Sequence, residues 1–519
     1  VPDRPAGRGG ADPRGASCRF FACTQASGSL GDVVDLFGWR MSMNALKDRV
    51  LWLNRALAIV LATAMLAACG GGSEESDAAI ADANVSKEAQ PLQAPDDESL
   101  VVELPNGGAV AGNIRVGRTK KYTFTANVGE GIQLRLVDKN GGTFYPRLDI
   151  TGPGGSVVGA AWGADVAVST FAAPATGTYT VVAADYYGTN SGRFELHYAR
   201  APGANEGGLL TSGGVAAGSL TKGDIDSYTF TANVGDGIQL RLVDVNATTF
   251  FTRIWVYGPT GALVTNAYDA DVALLSFAAP ADGTYTVVVT DYYGPGTGNY
   301  EVHYTRAPGA NEEGALVNGG LRNGVMTKGD LDSYTFTANV GEGIQIRLAD
   351  IDATGFYPRI WLYGPTGALV TNAYDPDVAV LSVAAPASGT YTVVVADYYG
   401  TGTGDYELHF VRGTGANEHG ALINGGVRNE TLTLGDLDSY TFVGSAGQSV
   451  QLRMTDTTGG AMYPRIWLYG PTGALVTNAY GPDVATINVT LSASGTFTVL
   501  ASDYYGTGTG TYTLGLNAP

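Results

Sequence analysis

The sequence predicts an all-β chain: four tandem antiparallel jelly-roll or β-sandwich domains after a disordered N-terminal segment. Three observations carry this. Short runs of alternating apolar and polar residues recur, broken by Gly, Pro, Asn and Asp turns every 8–12 residues or so. Glycine supplies 74 of 519 residues, about twice its ordinary share, and there are 29 tyrosines. The same markers return at a fixed interval: Asp-Tyr-Tyr-Gly begins at Asp185, Asp291, Asp397 and Asp503, and Tyr-Thr-Phe at Tyr122, Tyr228, Tyr334 and Tyr440. That interval is too long for a solenoid turn and fits a whole small domain.

In chain order, residues 1–42 are Arg-, Gly- and Pro-rich and read as an upstream extension, with translation starting at Met41 or Met43. Residues 43–68 read as a secretory signal: Lys47, Arg49 and Arg55 precede an apolar run from Ala56 to Met65 that is too short to span a membrane. Leu66-Ala67-Ala68-Cys69 follows and resembles the bacterial lipobox. The resemblance implies acylation of Cys69, with Gly70 after it implying outer-membrane sorting and a cell-surface location. Residues 69–97 are small, polar and acidic and read as a flexible tether. The repeats follow as 98–202, 203–308, 309–414 and 415–519.

The third repeat shows the elements. Ser333–Asn339 alternates and turns at Gly341-Glu-Gly343, and Ile344–Leu348 alternates again. Arg359–Tyr363 is a strand ended by Gly364-Pro-Thr-Gly367 turn chemistry. Ala368–Thr371, Val378–Val383, Gly389–Ala396 and Asp405–Phe410 complete seven or eight strands. The joints Ala201–Glu206, Ala307–Glu312 and Gly413–Glu418 are short, so the repeats should form a jointed rod.

A net charge of −19 argues against nucleic-acid binding, which needs a basic surface. Three cysteines and four histidines leave no material for a disulfide framework or a zinc module. There is no H-E-x-x-H, G-x-S-x-G or P-loop, so the expectation is a non-enzyme.

The ordered set Gly329-Asp330-Leu-Asp332-Ser-Tyr334-Thr-Phe336, Leu362-Tyr-Gly-Pro-Thr-Gly367, Gly389-Thr-Tyr-Thr-Val-Val-Val395 and Gly404-Asp-Tyr406-Glu-Leu408 resembles the bacterial pre-peptidase C-terminal domain family. The resemblance covers the four repeats. It implies a jelly-roll sandwich of the kind appended to secreted proteases, related to collagen-binding domains that hold calcium near their N-terminal linker. No peptidase domain accompanies the repeats here.

Two sets of side chains are candidate sites. Asp224/Asp226, Asp330/Asp332 and Asp436/Asp438 sit two apart at a strand entry, 18 residues after Asn205-Glu206, Asn311-Glu312 and Asn417-Glu418. They are either calcium ligands, as the resemblance implies, or turn caps. The first repeat has Arg118, Thr119, Lys120 and Lys121 there. Tyr186/Tyr187, Tyr292/Tyr293, Tyr398/Tyr399 and Tyr504/Tyr505 are either glycan- or protein-binding rings or sandwich packing. One ring of each pair is expected in the core by strand alternation. Trp255, Trp361 and Trp467 are expected in the core. Asp165, Asp271, Asp377, Asp483 and the Asp-Tyr-Tyr-Gly aspartates are expected to serve turns or ion pairs with Arg135, Arg241, Arg347 and Arg453. The expected function is a lipid-anchored adhesion module for an extracellular polysaccharide or protein. The alternatives are a spacer rod without a ligand, or an accessory of a separately encoded peptidase.

Overall fold

The computed structural model describes residues 91–93, 100–142, 144–246, 250–352 and 355–519. The segment expected to be a secretory signal, and Cys69, lie outside them. Among the described residues there is no helix, and none therefore long and apolar enough to cross a membrane.

Each repeat folds into two antiparallel sheets packed face to face. In the third, one sheet orders its strands Gly320–Met326, Gly404–Arg412, Gly343–Asp350 and Val378–Ala384. The other orders Asp332–Ala338, Gly389–Asp397, Pro358–Tyr363 and Leu369–Tyr374. The alternation read from sequence is the pleat of these strands: Tyr334, Phe336, Ile360, Leu362, Tyr391 and Val393 turn inward to a core that also holds Ile344, Ile346, Leu348 and Leu408. The other repeats have equivalent cores. Gly320–Met326 is the one strand of this repeat that the sequence reading missed. It is an edge strand, exposed along most of its length, so it lacks a buried face to impose alternation.

The strand Gly343–Asp350 is buried at every position, as are Gly131–Asp138 and Gly237–Asp244. Their equivalent in the last repeat, Ser449–Asp456, alternates exposed and buried over its first six residues. The difference has one cause. In the first three repeats the outer face of this sheet is covered by the second sheet of the next repeat, whereas among the described residues nothing covers that face of the fourth repeat. Small apolar clusters mark the three contacts: Ala199, Ala201, Ala204, Ile225, Tyr257 and Val288 at the first, and the matching residues at the others.

Trp361 and Trp467 are buried in these clusters, and Trp255 packs against the first. They therefore belong to the joints, which corrects their expected place in the sandwich cores. A mid-strand residue can face outward and still be buried when another domain lies on that face.

Candidate functional site

The joints account for most of the repeat-matched polar residues. Arg135, Arg241 and Arg347 lie on the outer face of the covered strand, each 3% exposed. Arg241 donates to the main-chain oxygens of Asp397 (2.9 Å) and Asp330 (3.1 Å) in the next repeat. Arg347 does the same to Asp503 (2.6 Å) and Asp436 (3.1 Å), and Arg135 reaches the Asp291 oxygen at 2.7 Å. The expected ion pairs with the repeat-matched aspartates are therefore replaced by guanidinium–carbonyl bonds across the joint. Asp165 and Asp271 instead meet Lys222 and Lys328 of the following repeat. Gln133, Gln239 and Gln345 donate to the hydroxyls of Tyr257, Tyr363 and Tyr469 at 3.0, 2.6 and 2.8 Å.

A histidine completes each joint. His197 lies 3.6 Å from Glu195 on its own strand and 3.3 Å from Asp224 of the next repeat. Burial works against its charge, but the two carboxylates outweigh it and the ring is pushed up to about 9. Asp224 is correspondingly held low by His197 against its own burial. At the third joint the same ring, His409, sits 3.6 Å from Asp436, and burial pulls it below its ordinary value. A group raised on folding stabilises fully below its unfolded pKa of about 6.5 and loses that contribution as pH climbs through the folded value. The melting-temperature gap between the native chain and His197→Gln is therefore expected to be widest below about pH 6.5 and to close as pH climbs through 9. A gap that does not change with pH would contradict this.

The Asp pairs are brought to the joints, but their carboxylates diverge. Asp224 caps its own turn at Thr221 and faces His197. Asp226 accepts from the buried Tyr300 hydroxyl, which is bonded to Tyr228 (2.7 Å). Asp332 and Asp438 accept likewise from Tyr406 (2.5 Å) and Tyr512 (2.6 Å). The Asn205, Asn311 and Asn417 oxygens accept from Thr229, Thr335 and Thr441. As arranged, these residues do not present the six to eight converging oxygens that calcium takes. Among the described residues one three-ligand group lies within 4.8 Å: Glu418, His419 and Asp438. One of its members is an imidazole, a poor partner for a hard cation. The acids that crowd the second joint are raised mainly by burial and then by Asp330, Glu312 and Asp332 each to about 7.

The tyrosine pairs lie outside the sandwich cores. The strands end at the aspartate, so both rings sit in a bend where alternation no longer applies, and neither enters the core as expected. The aspartate caps this bend: Asp291 accepts from the amides of Phe251, Gly294 and Gly296. Tyr187, Tyr293, Tyr399 and Tyr505 are 62, 65, 61 and 62% exposed. Each stands edge-on to its half-exposed neighbour at about 5 Å, for example 4.9 Å in Tyr398–Tyr399.

Two further residues in each of the second, third and fourth repeats extend the surface, beyond the expected site residues. Arg253, Arg359 and Arg465 stack on Trp255, Trp361 and Trp467 at 4.1, 4.3 and 3.9 Å, and on Tyr292, Tyr398 and Tyr504 at 4.9 Å. Tyr268, Tyr374 and Tyr480 pack on the same pairs. Their recurrence at the repeat interval was the available signal. Tyr268 and Asp269 of one repeat join Arg359, Tyr398 and Tyr399 of the next along an open groove of about 390 Å³.

No family model matches the chain, and no curated protein matches it. Two solved structures of similar fold each align with 19% of this chain, about one repeat. One is the pre-peptidase C-terminal domain of a collagenase from Bacillus anthracis (21% identity, 94% of that chain, TM-score 0.17). The other is PliG, a periplasmic inhibitor of g-type lysozyme from Aeromonas hydrophila (17% identity, 95% of that chain, TM-score 0.17).

Proposed function

We propose that this chain is a non-catalytic, lipid-anchored surface protein that holds an extended extracellular polymer on repeated aromatic platforms. The observation that supports the reading is the four-fold recurrence of an exposed tyrosine beside a half-exposed one on a capped bend. Tyrosine presents a broad apolar ring and a polar tip while losing little side-chain entropy. One platform binds weakly. Four on one chain convert later contacts into intramolecular ones, so avidity exceeds any single affinity. Acylation at Cys69 and a cell-surface location belong to the same proposal. The spacer reading draws on a separate observation, the buried polar joints, and it is compatible with display of binding sites at fixed intervals.

The test is co-sedimentation of residues 81–519, which form a compact unit of their own, with collagen, chitin, cellulose and peptidoglycan, each with calcium and with chelator. Retention on one polymer is expected. Tyr187→Ala, Tyr293→Ala, Tyr399→Ala and Tyr505→Ala together should reduce it more than about tenfold, and any one alone only a few-fold. Retention that the quadruple variant leaves unchanged, or no retention on any polymer, transfers the function to spacing.

A further inference from the structure

We propose that the end face of the first repeat, which no other repeat covers among the described residues, seats directly on an anionic lipid surface, contacting phospholipid headgroups. This face is the one that, in later repeats, receives the preceding domain. Across its sheet, the later repeats place the row Ser227–Val288–Trp255, which the joint buries. The first repeat places Lys121–Val182–Asp149 there, with Lys121 exposed. Arg118 and Thr119 replace Asp224 and Ile225, and Thr151 replaces the buried Tyr257. Three apolar anchors are gone, Arg118 stands in place of an acid and Lys121 in place of a serine, and the acid on the row, Asp149, is paired with Arg147 at 3.0 Å.

The change is not confined to single positions. Residues 98–202 carry nine Lys and Arg against eight Asp and Glu, whereas 203–308 carry four against ten and 309–414 five against twelve. In a chain this acidic, the first repeat alone is not acidic. Exposed Arg115 and buried Lys120 also line a polar depression with Asn113, Asn140 and Ser191 at the same end, where Gly117 bonds to Gly188 beside the tyrosine pair.

Aromatic rings frame the cations. Trp162 is 56% exposed, Tyr186 40% and Tyr187 62%, and Trp162 lies 5.7 Å from Tyr186. Only this repeat has Trp at that position; the others have Tyr268, Tyr374 and Tyr480. Lys and Arg beside exposed Trp and Tyr is the composition that settles at a headgroup layer, the cations on phosphate and the rings at the interface. Its reach to the membrane rests on the anchored reading proposed above: with Cys69 acylated, the first repeat is the one nearest the anchor in sequence, and its face is the one within reach of the membrane.

The experiment is vesicle co-sedimentation of residues 81–519, which lack Cys69 and so any acyl chain. Phosphatidylglycerol–phosphatidylcholine vesicles are compared with pure phosphatidylcholine, at low and physiological salt. Binding is expected only to the anionic vesicles and should weaken with salt. Arg118→Glu with Lys121→Glu should lower partitioning about tenfold or more. Trp162→Ala should lower it several-fold at unchanged charge. The charge-matched Arg322→Glu with Arg428→Glu, at an exposed position of the third repeat and a part-exposed one of the fourth, should change it less than about twofold. Equal binding to neutral vesicles, no binding to anionic ones, or an equal loss in the control pair overturns the proposal. The assay contains no polymer, so its failure is separate from failure of the platform reading.

Discussion

Arg241→Met is expected to uncouple the second and third repeats and to cost about 2–3 kcal/mol, while Arg453→Met, the same position in the last repeat, should cost less than about 0.5 kcal/mol. Arg241 is buried and donates to two main-chain oxygens of the following repeat. Burial pulls its pKa down to about 10, so the cation itself gains little from its place. The larger effect of removal comes from what stays behind: Asp330 and Asp397 keep buried carbonyl oxygens without their donor. Methionine fills most of the space, so the loss reports those bonds rather than a cavity. Arg453 is exposed on an uncovered sheet and has no such partners. Urea unfolding checks this. The native chain should unfold its repeats as a coupled block, and Arg241→Met should split the transition between the second and third. Equal shifts from the two substitutions would show that the arginine does not hold the joint.

The strands were legible because each repeat has a buried face, and period-two alternation reports one buried face directly. Seven of the eight strands of the third repeat were readable for that reason, and the eighth was not because it is an exposed edge. The joints were not legible from one repeat taken alone. In Gly343–Asp350, Gln345 and Arg347 alternate with apolar residues and look like a solvent face, yet a second domain covers them. The signal lies in the differences between repeats. The last repeat has Thr513 and Gly515 where Glu407 and His409 stand, and the first has Asp149 and Thr151 where Trp255 and Tyr257 stand. A copy that drops a matched set of residues marks the surface that the other copies share. Spacing also brought Glu418 and Asp438 to one place. It could not say that Asp332 would turn toward Tyr406, because a residue's position along the chain does not fix the direction of its carboxylate.

Gly237→Ala is the sharper probe of the same joint. A Cβ at Gly237 would lie 2.2 Å from the Tyr363 ring of the next repeat, and Gly131 and Gly343 face Tyr257 and Tyr469 at 2.1 and 2.2 Å. Real contacts of that length do not occur, and the ring is held by its bond to Gln239 at 2.6 Å and buried at 3% exposure. The backbone at Gly237 is not left-handed, so alanine meets no conformational strain, and beside this collision its Cβ meets only the Gly367 carbonyl oxygen at 3.0 Å. Overpacking of this kind costs about 1–3 kcal/mol, and here it acts between two domains that can part rather than within one core that must repack. Repeats two and three should therefore separate, with faster hydrogen exchange along Gly237–Asp244. The fourth repeat has Ser449 at the matching position, exposed and facing no ring of another repeat among the described residues, and Ser449→Ala should be neutral within about 0.5 kcal/mol. The cause can be isolated by a cycle. If the collision is with Tyr363, then Gly237→Ala should cost almost nothing when added to Tyr363→Ala, giving an interaction energy near the single-variant loss. Additive costs in that cycle would place the effect of Gly237→Ala inside its own repeat and leave the tyrosine contact without a role.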